Sequence, residues 1–217
     1  MFITFEGIEG SGKTSQIRPI TEFLEERGLR CKTTREPGGT DIGRSIRAIL
    51  LNPACKELDP MGELLLYEAD RIQHVREVIR PALAEGKIVL CDRFFDATVA
   101  YQGYARGLDI HLINAVHRLV MGDIRPDLTF LFDLPVETGL SRVWNDIKTG
   151  VRLKSELRFE EEVLQFHQKV RAGYLELARQ EPERIKIIDA ASDRDQVSAQ
   201  LTAILSGIVW NKEKKRK

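Results

Sequence analysis

The sequence has little of what marks a membrane protein, a disulfide-linked scaffold or a nucleic-acid-binding surface. No apolar run approaches the roughly eighteen residues that a membrane span needs. The three cysteines form no CxxC pair and the four histidines show no HExxH spacing, which argues against a disulfide framework and against a metal site built by the protein alone. With 33 basic and 33 acidic residues the chain has no net charge, so a broadly basic surface is excluded. A small anionic ligand is not excluded, because net charge does not show where the charges lie.

The start of the chain and its cysteines indicate a compartment. A strand-like apolar run begins at residue 2, and no basic segment followed by an apolar stretch precedes it, as a secretory signal would require. We therefore expect a cytoplasmic protein in which Cys31, Cys55 and Cys91 are buried free thiols.

Short apolar runs alternate along the whole chain with segments of helical periodicity. The runs cover residues 2–5, 29–34, 88–91, 128–132 and 185–188. Most of them lack period-two alternation, as parallel strands buried on both faces do, and the more polar run 29–34 suits a less buried strand. This order predicts one α/β domain over residues 1–217, a five-stranded, doubly wound parallel sheet with helices on both faces. Ligands of such sheets bind at the carboxyl ends of the strands.

Four segments lead to more specific expectations. Residues 158–180 show one apolar stripe at spacings of three or four, which predicts a long amphipathic helix. Residues 146–157 are polar and lie between two helices, so we expect a short mobile lid there. Pro19 falls inside the first helical segment, where it should remove a hydrogen bond and kink the helix. The basic end, residues 212–217, is expected to be a solvated tail.

A phosphate-binding motif follows the first apolar run. Residues 7–14 fit the pattern GxxxxGK[ST]: Gly7, Ile8, Glu9, Gly10, Ser11, Gly12, Lys13 and Thr14. Glycines let backbone N–H groups turn toward phosphates, and the following helix presents its positive dipole end to them. Lys13 can reach the terminal phosphates and the Thr14 hydroxyl can ligate Mg²⁺. The strand before the motif and the helix after it support a nucleoside triphosphate site.

A second motif follows the run 88–91. The strand ends in Asp92, as in a Walker B motif, which predicts a carboxylate that holds Mg²⁺ together with Thr14. A helix cap is the alternative role for an aspartate there. The neighbouring Arg93 can clamp a second phosphate through two hydrogen bonds. A transferase with a phosphorylated acceptor needs such a group, whereas an ATPase that uses water does not.

With these motifs in place, the chain resembles the thymidylate kinases of the P-loop nucleoside monophosphate kinase group. The resemblance runs almost from end to end and is carried by FEGIEGSGKT (5–14), TREPGGT (34–40), EADR (68–71), CDRFFDATVAYQG (91–103), RPDLTFLFDL (125–134) and FHQKVRAGYLELA (166–178). REPGGT and AYQG in this order after a P-loop are specific to the family among nucleotide kinases. The resemblance implies a P-loop NTPase fold with a short lid and transfer of the γ-phosphoryl of ATP to dTMP, giving dTDP, with Mg²⁺. It also implies a homodimer that packs through helices, with nucleotides as the other partners.

The resemblance implies roles for residues at the acceptor phosphate. Glu9 stands where the family has an acidic residue near the acceptor sugar 3′-hydroxyl. Arg93 matches the arginine that binds the dTMP phosphate, and Arg47 looks like a second contact to it. An exposed helix arginine is the alternative reading of Arg47.

The resemblance also assigns residues near the thymine of dTMP and near the adenine of ATP. Arg71 would reach a thymine carbonyl, and Tyr67 would stack on the base unless it only packs in the core. The segment that lines thymine and sugar holds Thr98, Tyr101 and Gln102. Arg142 and the turn at residues 189–192 would border the adenine of ATP.

The phosphate-binding loop itself has no arginine. Some members of the family carry a catalytic arginine in this loop and others supply it from the lid, so the resemblance implies the second arrangement. The candidates are Arg152, Lys154 and Arg158, of which we favour Arg152 or Arg158. The expected catalytic residues are therefore Lys13, Asp92, Arg93, Arg152 and Arg158. The chain departs from the common family pattern at Ala97-Thr98 and Leu157-Arg158, which weakens the assignment of individual contacts.

Two other functions remain open from the residues alone. One is another nucleoside monophosphate kinase or a deoxynucleoside kinase of the same fold. The other is a P-loop protein that binds ATP as a switch and transfers nothing. Residues suited to a second phosphorylated ligand, above all Arg93, argue against the switch.

Overall fold

Five parallel strands form the centre of the fold in the computed structural model, which describes residues 1–150 and 154–214. The strands are β1 (Phe2–Glu6), β2 (Cys31–Arg35), β3 (Ile88–Asp92), β4 (Leu128–Asp133) and β5 (Ile185–Asp189). Their order is β2-β3-β1-β4-β5, and every neighbouring pair is parallel. The expected doubly wound sheet is confirmed, and the predicted strand bounds differ from the observed ones by at most two residues.

Helical segments connect the successive strands, as a parallel sheet requires. Their bounds are α1 (Lys13–Glu25), α2 (Asp41–Leu51), α3 (Pro60–His74), α4 (Arg80–Ala84), α5 (Phe95–Thr98), α6 (Ile110–Met121), α7 (Val136–Lys148), α8 (Leu164–Gln180) and α9 (Arg194–Lys214). Two π-helical segments, Val75–Ile79 and Val99–Ala105, join α3 to α4 and extend α5. Two short 3₁₀ turns lie at Pro53–Cys55 and Lys154–Glu156. None of the described helices is long and apolar enough to cross a membrane.

Strand residues alternate between two apolar clusters, one on each side of the sheet. Ile3 and Phe5 of β1 pack with Ile20 of α1 in the larger cluster. Phe2 of β1 packs with Ile79 in the smaller one. The central strands β1, β3 and β4 are buried on both faces, which explains why their sequences do not alternate. The more polar β2 is an edge strand with exposed residues.

The cysteines agree only in part with the expectation. All three are free. Cys91 is buried in the centre of the sheet, but Cys31 and Cys55 are partly exposed, so the prediction of three buried thiols is wrong for these two.

Pro19 lies inside α1, and the helix continues through it. A proline cannot donate the N–H that would normally bond to the carbonyl oxygen four residues earlier. That oxygen, on Ser15, accepts a hydrogen bond from Nη2 of Arg194 at 3.3 Å. A distant arginine from α9 therefore supplies the missing donor, which reduces the cost of the proline.

Two predicted boundaries near the lid are wrong. Helix α8 begins at Leu164 rather than at residue 158, because residues 158–162 form turns in which Phe159 is buried. Helix α7 continues to Lys148, so the predicted lid segment 146–157 begins inside a helix. Its end, at Leu157, is buried. The first residues of the predicted basic tail, 212–214, continue α9, and residues 215–217 lie outside the described part of the chain.

Candidate active site

The phosphate-binding loop between β1 and α1 is held in shape by close contact with α7. Gly10 has a φ of 68°, and a Cβ there would lie 2.1 Å from the carbonyl oxygen of Gly139. A Cβ on Gly139 would lie 2.5 Å from the carbonyl oxygen of Glu9. Only glycine fits at either position, so the loop and α7 pack backbone against backbone. Since α1 begins at Lys13, the helix N-terminus follows the loop directly, as a phosphate cradle requires.

The side chain of Lys13 is buried within this loop. Its Nζ donates hydrogen bonds to the carbonyl oxygens of Gly7 at 2.9 Å and Ile8 at 2.8 Å, and to Oγ of Ser11 at 3.0 Å. Burial, and then the nearby positive charge of Arg93, lower the pKa of Lys13 to about 7. The Ile8 side chain is buried in the core, so Ile8 contributes to the loop only through its backbone.

Thr14 and Asp92 meet at the edge of the loop. The Thr14 hydroxyl donates to Oδ2 of Asp92 at 2.5 Å, which brings two hard oxygen ligands together beside the phosphate cradle. In the described part of the chain no three His, Cys, Asp or Glu side chains gather as a metal site. This donor set fits Mg²⁺, which proteins commonly bind through one or two side chains while phosphate and water oxygens complete its shell.

A cavity of about 670 Å³ opens beside the loop. Besides loop residues, its lining includes Arg35, Arg47, Asp92 and Arg93. Sequence reasoning missed Arg35. It is the last residue of β2 and pairs in register with Asp92 of β3, so the rule that ligands bind at the carboxyl ends of parallel strands could have identified it.

Arg93 is held by its backbone and by its side chain. Its φ of 66° is in the left-handed region, which costs about 1–2 kcal/mol for a residue with a side chain and marks a functional position. Its Nη2 donates to Oε1 of Glu9 at 3.0 Å, and its Nη1 donates to the hydroxyl of Tyr174 at 3.1 Å. The guanidinium lies over the ring of Tyr101, 5.1 Å from the centroid. These contacts hold the positively charged guanidinium between the phosphate-binding loop and the residues that the sequence predicts for the acceptor site.

The Glu9 side chain extends from the phosphate-binding loop toward Arg93 and is buried. Its Oε1 also accepts a hydrogen bond from the hydroxyl of Tyr101. Its Oε2 lies 3.4 Å from Nδ1 of His167. Burial alone would raise the pKa of the Glu9 carboxyl, but the contact with His167 and the charge of Arg93 outweigh it and hold the pKa below its usual range. Glu9 is therefore an ionised carboxylate.

A second cavity, of about 100 Å³, adjoins the first. All eight residues predicted for the acceptor site line it: Glu9, Arg47, Tyr67, Arg71, Arg93, Thr98, Tyr101 and Gln102. Phe159 lines it as well and meets the Tyr101 ring edge to face at a centroid distance of 5.4 Å. Sequence reasoning placed Phe159 in the helical stripe, because its spacing fits that pattern although the chain there forms turns.

Arg71 is almost completely buried at one end of this cavity. Its Nε lies 2.6 Å from Oε1 of Glu36, its Nη1 pairs with Glu68, and its Nη2 donates to Oγ1 of Thr98 at 2.9 Å. Two carboxylates thus fix the guanidinium, whose position at the cavity lining suits recognition of a carbonyl group. His117 contacts the same group from α6, with Nε2 3.1 Å from Glu68.

Arg158 does not reach the phosphate cavity, which corrects its assignment as a lid cation. Its Nε donates to the carbonyl oxygen of Leu50 at 2.6 Å, and its Nη2 pairs with Glu63 of α3, which is wholly buried. Glu63 also accepts a hydrogen bond from Nε2 of Gln102 at 2.6 Å. Arg158 is part of a buried ion pair that fastens the end of the lid segment to α3. The other favoured candidate, Arg152, lies outside the described residues.

Arg142 lies at the opposite end of the loop. Its Nη1 donates to the carbonyl oxygen of Ala190 at 3.1 Å, just after β5. It lines a cavity of about 230 Å³ together with Ser192, Arg194 and loop residues Ser11 and Gly12. Arg142 and the turn at residues 189–192 therefore lie side by side, so both could border one ligand.

Comparisons with known proteins agree with this geometry. The family model described as "Thymidylate kinase" matches residues 5–201. The thymidylate kinase of Desulfosudis oleivorans is 52% identical over 208 residues, which cover 96% of this chain and 97% of that one. The thymidylate kinase of Syntrophotalea carbinolica is 56% identical over 196 residues, covering 90% of each chain. The crystal structure of thymidylate kinase from Ehrlichia chaffeensis superimposes with a TM-score of 0.75 at 36% identity and covers 94% of this chain and 98% of its own. The chain belongs to the thymidylate kinase family, whose members phosphorylate dTMP with ATP.

Proposed function

We propose that this chain transfers the γ-phosphoryl of ATP to dTMP across the boundary between its two adjacent cavities. One observation carries the proposal: Glu9, Arg47 and Arg93 line both cavities. A wall that holds two arginines suits the point at which a donor and an acceptor phosphate meet. A switch that only binds ATP needs no second cavity of this kind, and the family membership favours this reaction over the other kinases of the fold.

ATP occupies the larger cavity in this proposal. The loop N–H groups and Lys13 hold its phosphates there, and its adenine extends past Ser11 and Gly12 into the 230 Å³ cavity that Arg142 lines. Lys13 now contacts only protein oxygens, so an incoming phosphate replaces these with a full negative charge. Thr14 and Asp92 hold Mg²⁺, which neutralises charge on the phosphates when it is bound.

The smaller cavity receives dTMP. Arg93 and Arg47 bind its phosphate, Glu9 lies near the sugar, and Arg71 reaches a thymine carbonyl. Tyr67, Thr98, Tyr101 and Gln102 complete the walls around base and sugar. Arg71 is prepared for this role because Glu36 and Glu68 fix it before the substrate arrives.

The reaction needs positioning and charge neutralisation rather than a general base. The second pKa of a phosphate ester is about 6, so the acceptor is mostly dianionic near neutral pH and is already nucleophilic. Two polyanions must nevertheless approach each other, which requires cations on several sides. Lys13 and Arg93 provide two of them, and Arg35 lies at the same cavity. We assign the lid cation to Arg152, since Arg158 is engaged with Glu63.

A homodimer is part of the proposal. Leu65 and Ile72 of α3 are seven residues apart and about half exposed, so they lie on one face of that helix. Leu112 and Leu119 of α6 repeat this spacing, with Leu119 exposed to 86%. Helices α3 and α6 pack against each other, so together they offer an apolar surface suited to a second copy. A cytoplasmic location is also proposed, and the three free cysteines support it.

A panel of acceptors tests the reaction. The chain is incubated with ATP, Mg²⁺ and, in turn, dTMP, dUMP, dCMP, dAMP and thymidine, and ADP formation is measured. Preference for dTMP is the expected result. Preference for another acceptor would identify a different kinase of this fold, and absence of ADP with every acceptor would support a non-transferring ATP-binding protein.

A further inference from the structure

His167 is a buried histidine with no part in the reaction described so far. It lies in the first turns of α8 and is 0% exposed. Its ring meets Phe166 edge to face, with centroids 5.6 Å apart. Neither ring nitrogen makes a hydrogen bond of good geometry within the described residues. Burying an imidazole without hydrogen-bond partners costs free energy, so a nearby polar group that can become a partner is expected.

Its polar neighbour is Glu9 of the phosphate-binding loop. Nδ1 of His167 lies 3.4 Å from Oε2 of Glu9. That oxygen is itself buried without a well-formed hydrogen bond, whereas Oε1 of Glu9 is engaged by Arg93 and Tyr101. Two buried polar atoms that lack other partners therefore face each other across a distance that a small movement converts into a hydrogen bond.

The charge of Glu9 determines which way this bond runs. Oε1 of Glu9 accepts hydrogen bonds from the Arg93 guanidinium and the Tyr101 hydroxyl, and a carboxyl group paired with a guanidinium is ionised, so Oε2 can only accept. Nδ1 of His167 must then carry the hydrogen. His167 thus contacts Oε2 of Glu9, whereas Arg93 and Tyr101 contact Oε1.

We propose that His167 is a positioning residue: its Nδ1–H donates to Oε2 of Glu9 and thereby turns Oε1 toward Arg93 and Tyr101. The inference rests on the proposed roles of Glu9 and Arg93 at the acceptor. Without His167 only Oε1 of Glu9 is held, by Arg93 and Tyr101, so the carboxylate can turn about that oxygen and the guanidinium that receives the acceptor phosphate has a less rigid partner. Acceptor binding should suffer, while ATP binding should change much less, because in this proposal the loop N–H groups and Lys13, not the Glu9 carboxylate, hold the ATP phosphates.

Three replacements of His167 separate this role from simple packing. In asparagine the amide nitrogen is two bonds from Cβ, as Nδ1 is in histidine. In glutamine it is three bonds away, as Nε2 is. Phenylalanine fills the same space with an aromatic ring but has no hydrogen-bond donor. The melting temperature of the His167→Phe variant shows whether the fold is intact.

We expect His167→Phe to weaken dTMP binding about tenfold, the scale of one lost hydrogen bond to a charged group. Its Kd for ATP and its melting temperature should stay near those of the parent protein. His167→Asn should bind dTMP within about threefold of the parent, and His167→Gln should resemble the phenylalanine variant. Binding is measured by calorimetry on the full chain. If the asparagine and glutamine variants bind dTMP equally, or if His167→Phe binds it normally, the inference is overturned.

A double-mutant cycle with Glu9→Gln completes the test. Because His167 acts through Glu9, His167→Phe should have no further effect on dTMP binding once Glu9 is glutamine. Additive losses would contradict the inference. Normal dTMP binding by Glu9→Gln would overturn the proposed role of Glu9 itself, whereas weak binding by Glu9→Gln with normal binding by His167→Phe would overturn the role of His167 alone.

Discussion

Arg47 and Glu156 form a two-point ion pair at the boundary of the two cavities. Nε of Arg47 lies 3.2 Å from Oε1 of Glu156, and Nη2 lies 2.8 Å from Oε2. Arg47 is fixed further by a bond from Nη1 to the carbonyl oxygen of Pro37 at 3.1 Å. Glu156 ends the 3₁₀ turn Lys154–Glu156, which lies inside the predicted lid segment. A carboxylate from the lid segment thus holds the guanidinium that we assign to the acceptor phosphate.

This pair predicts that Glu156→Gln binds dTMP more tightly. The phosphate must compete with Glu156 for Arg47, and a partly exposed ion pair contributes about 0–1 kcal/mol, so the Kd should fall about two- to fivefold. The difference should shrink in high salt, which screens the pair. Glu162→Gln is the matched control, since Glu162 pairs with Arg106 at 2.6 Å and not with Arg47. Weaker dTMP binding by Glu156→Gln would mean that Glu156 prepares Arg47 rather than competing for it.

Arg93→Ala should abolish transfer to dTMP while ATP still binds. The substitution removes the guanidinium at the shared wall and leaves Glu9 buried without its cation. We expect the Kd for dTMP to rise about 100-fold or more, the scale of a lost two-point charged contact. Calorimetry with each nucleotide separates the two effects. Arg93→Lys keeps the charge without the planar fork, so it should recover only part of the loss. Near-normal turnover by Arg93→Ala would refute its role at the acceptor phosphate.

Substitution of Arg158 should affect the stability of the protein, whereas substitution of Arg152 should affect the rate of the reaction. Arg158→Met removes the nearer cation of the buried Glu63, which then keeps only Gln102 and a 3.5 Å contact with Arg106. We expect a cost of about 3 kcal/mol, the lower end for a broken buried ion pair, and a melting temperature lower by about 10 °C. Arg152→Ala should lower kcat about 10³-fold, the scale of an arginine finger.

The double variant Glu63→Gln/Arg158→Met provides the control for this comparison. Removing both charges should recover part of the stability that Arg158→Met loses. A normal melting temperature with a 10³-fold lower kcat in Arg158→Met would return Arg158 to the role of lid cation. Normal turnover by Arg152→Ala would show that the lid does not supply the cation.

The elements that the sequence predicts correctly depend on local patterns. Buried parallel strands are short apolar runs, and the phosphate-binding loop is a contiguous motif between a strand and a helix. The carboxyl-end rule then brings the loop, Asp92 and Arg93 to one edge of the sheet, because β1 lies beside β3. The resemblance to a family added the residues proposed for the acceptor site, and the structure places all of them around one cavity.

The features that the sequence does not predict depend on contacts between distant segments. Arg158 meets Glu63 across 95 positions, and no local pattern distinguishes a buried arginine from a lid arginine. Pro19 is tolerated because Arg194 supplies a donor to the carbonyl oxygen that the proline leaves free. The start of α8 was misplaced because Phe159 has helical spacing yet packs against Tyr101 from a turn.

Leu119→Glu tests the proposed dimer. A charge at this highly exposed apolar position of α6 would have to be buried between two copies, so the variant should be monomeric. Size-exclusion chromatography with light scattering measures the mass. Ile187→Glu is the matched control: Ile187 is half exposed on the edge strand β5, away from α3 and α6, and its replacement should leave the mass unchanged. Equal masses for Leu119→Glu and the parent protein would exclude this surface as the interface.

The buried carboxyl group of Glu6 should make the stability of the protein depend on pH. This carboxyl at the end of β1 is wholly buried, accepts from the N–H of Phe94 at 2.7 Å and meets the hydroxyl of Tyr174 at 2.8 Å. Burial and then the charge of Asp96 raise its pKa to about 8 from the ordinary value of 4.5. The folded state therefore binds this proton more tightly than the unfolded state does. The resulting stabilisation is complete below about pH 4.5 and is lost as the pH rises toward and through 8.

Glu6→Gln isolates this effect because glutamine is neutral at every pH and keeps an oxygen for Phe94 and a donor for Tyr174. Melting temperatures of the two proteins should agree near pH 5. At pH 9 the variant should melt higher by at least about 2–4 °C, the shift that 1 kcal/mol produces in a chain of this size. Other titrating groups are common to both proteins, so the difference between the two curves belongs to Glu6. A constant difference between pH 5 and pH 9 would show that Glu6 has the same pKa in the folded and unfolded states.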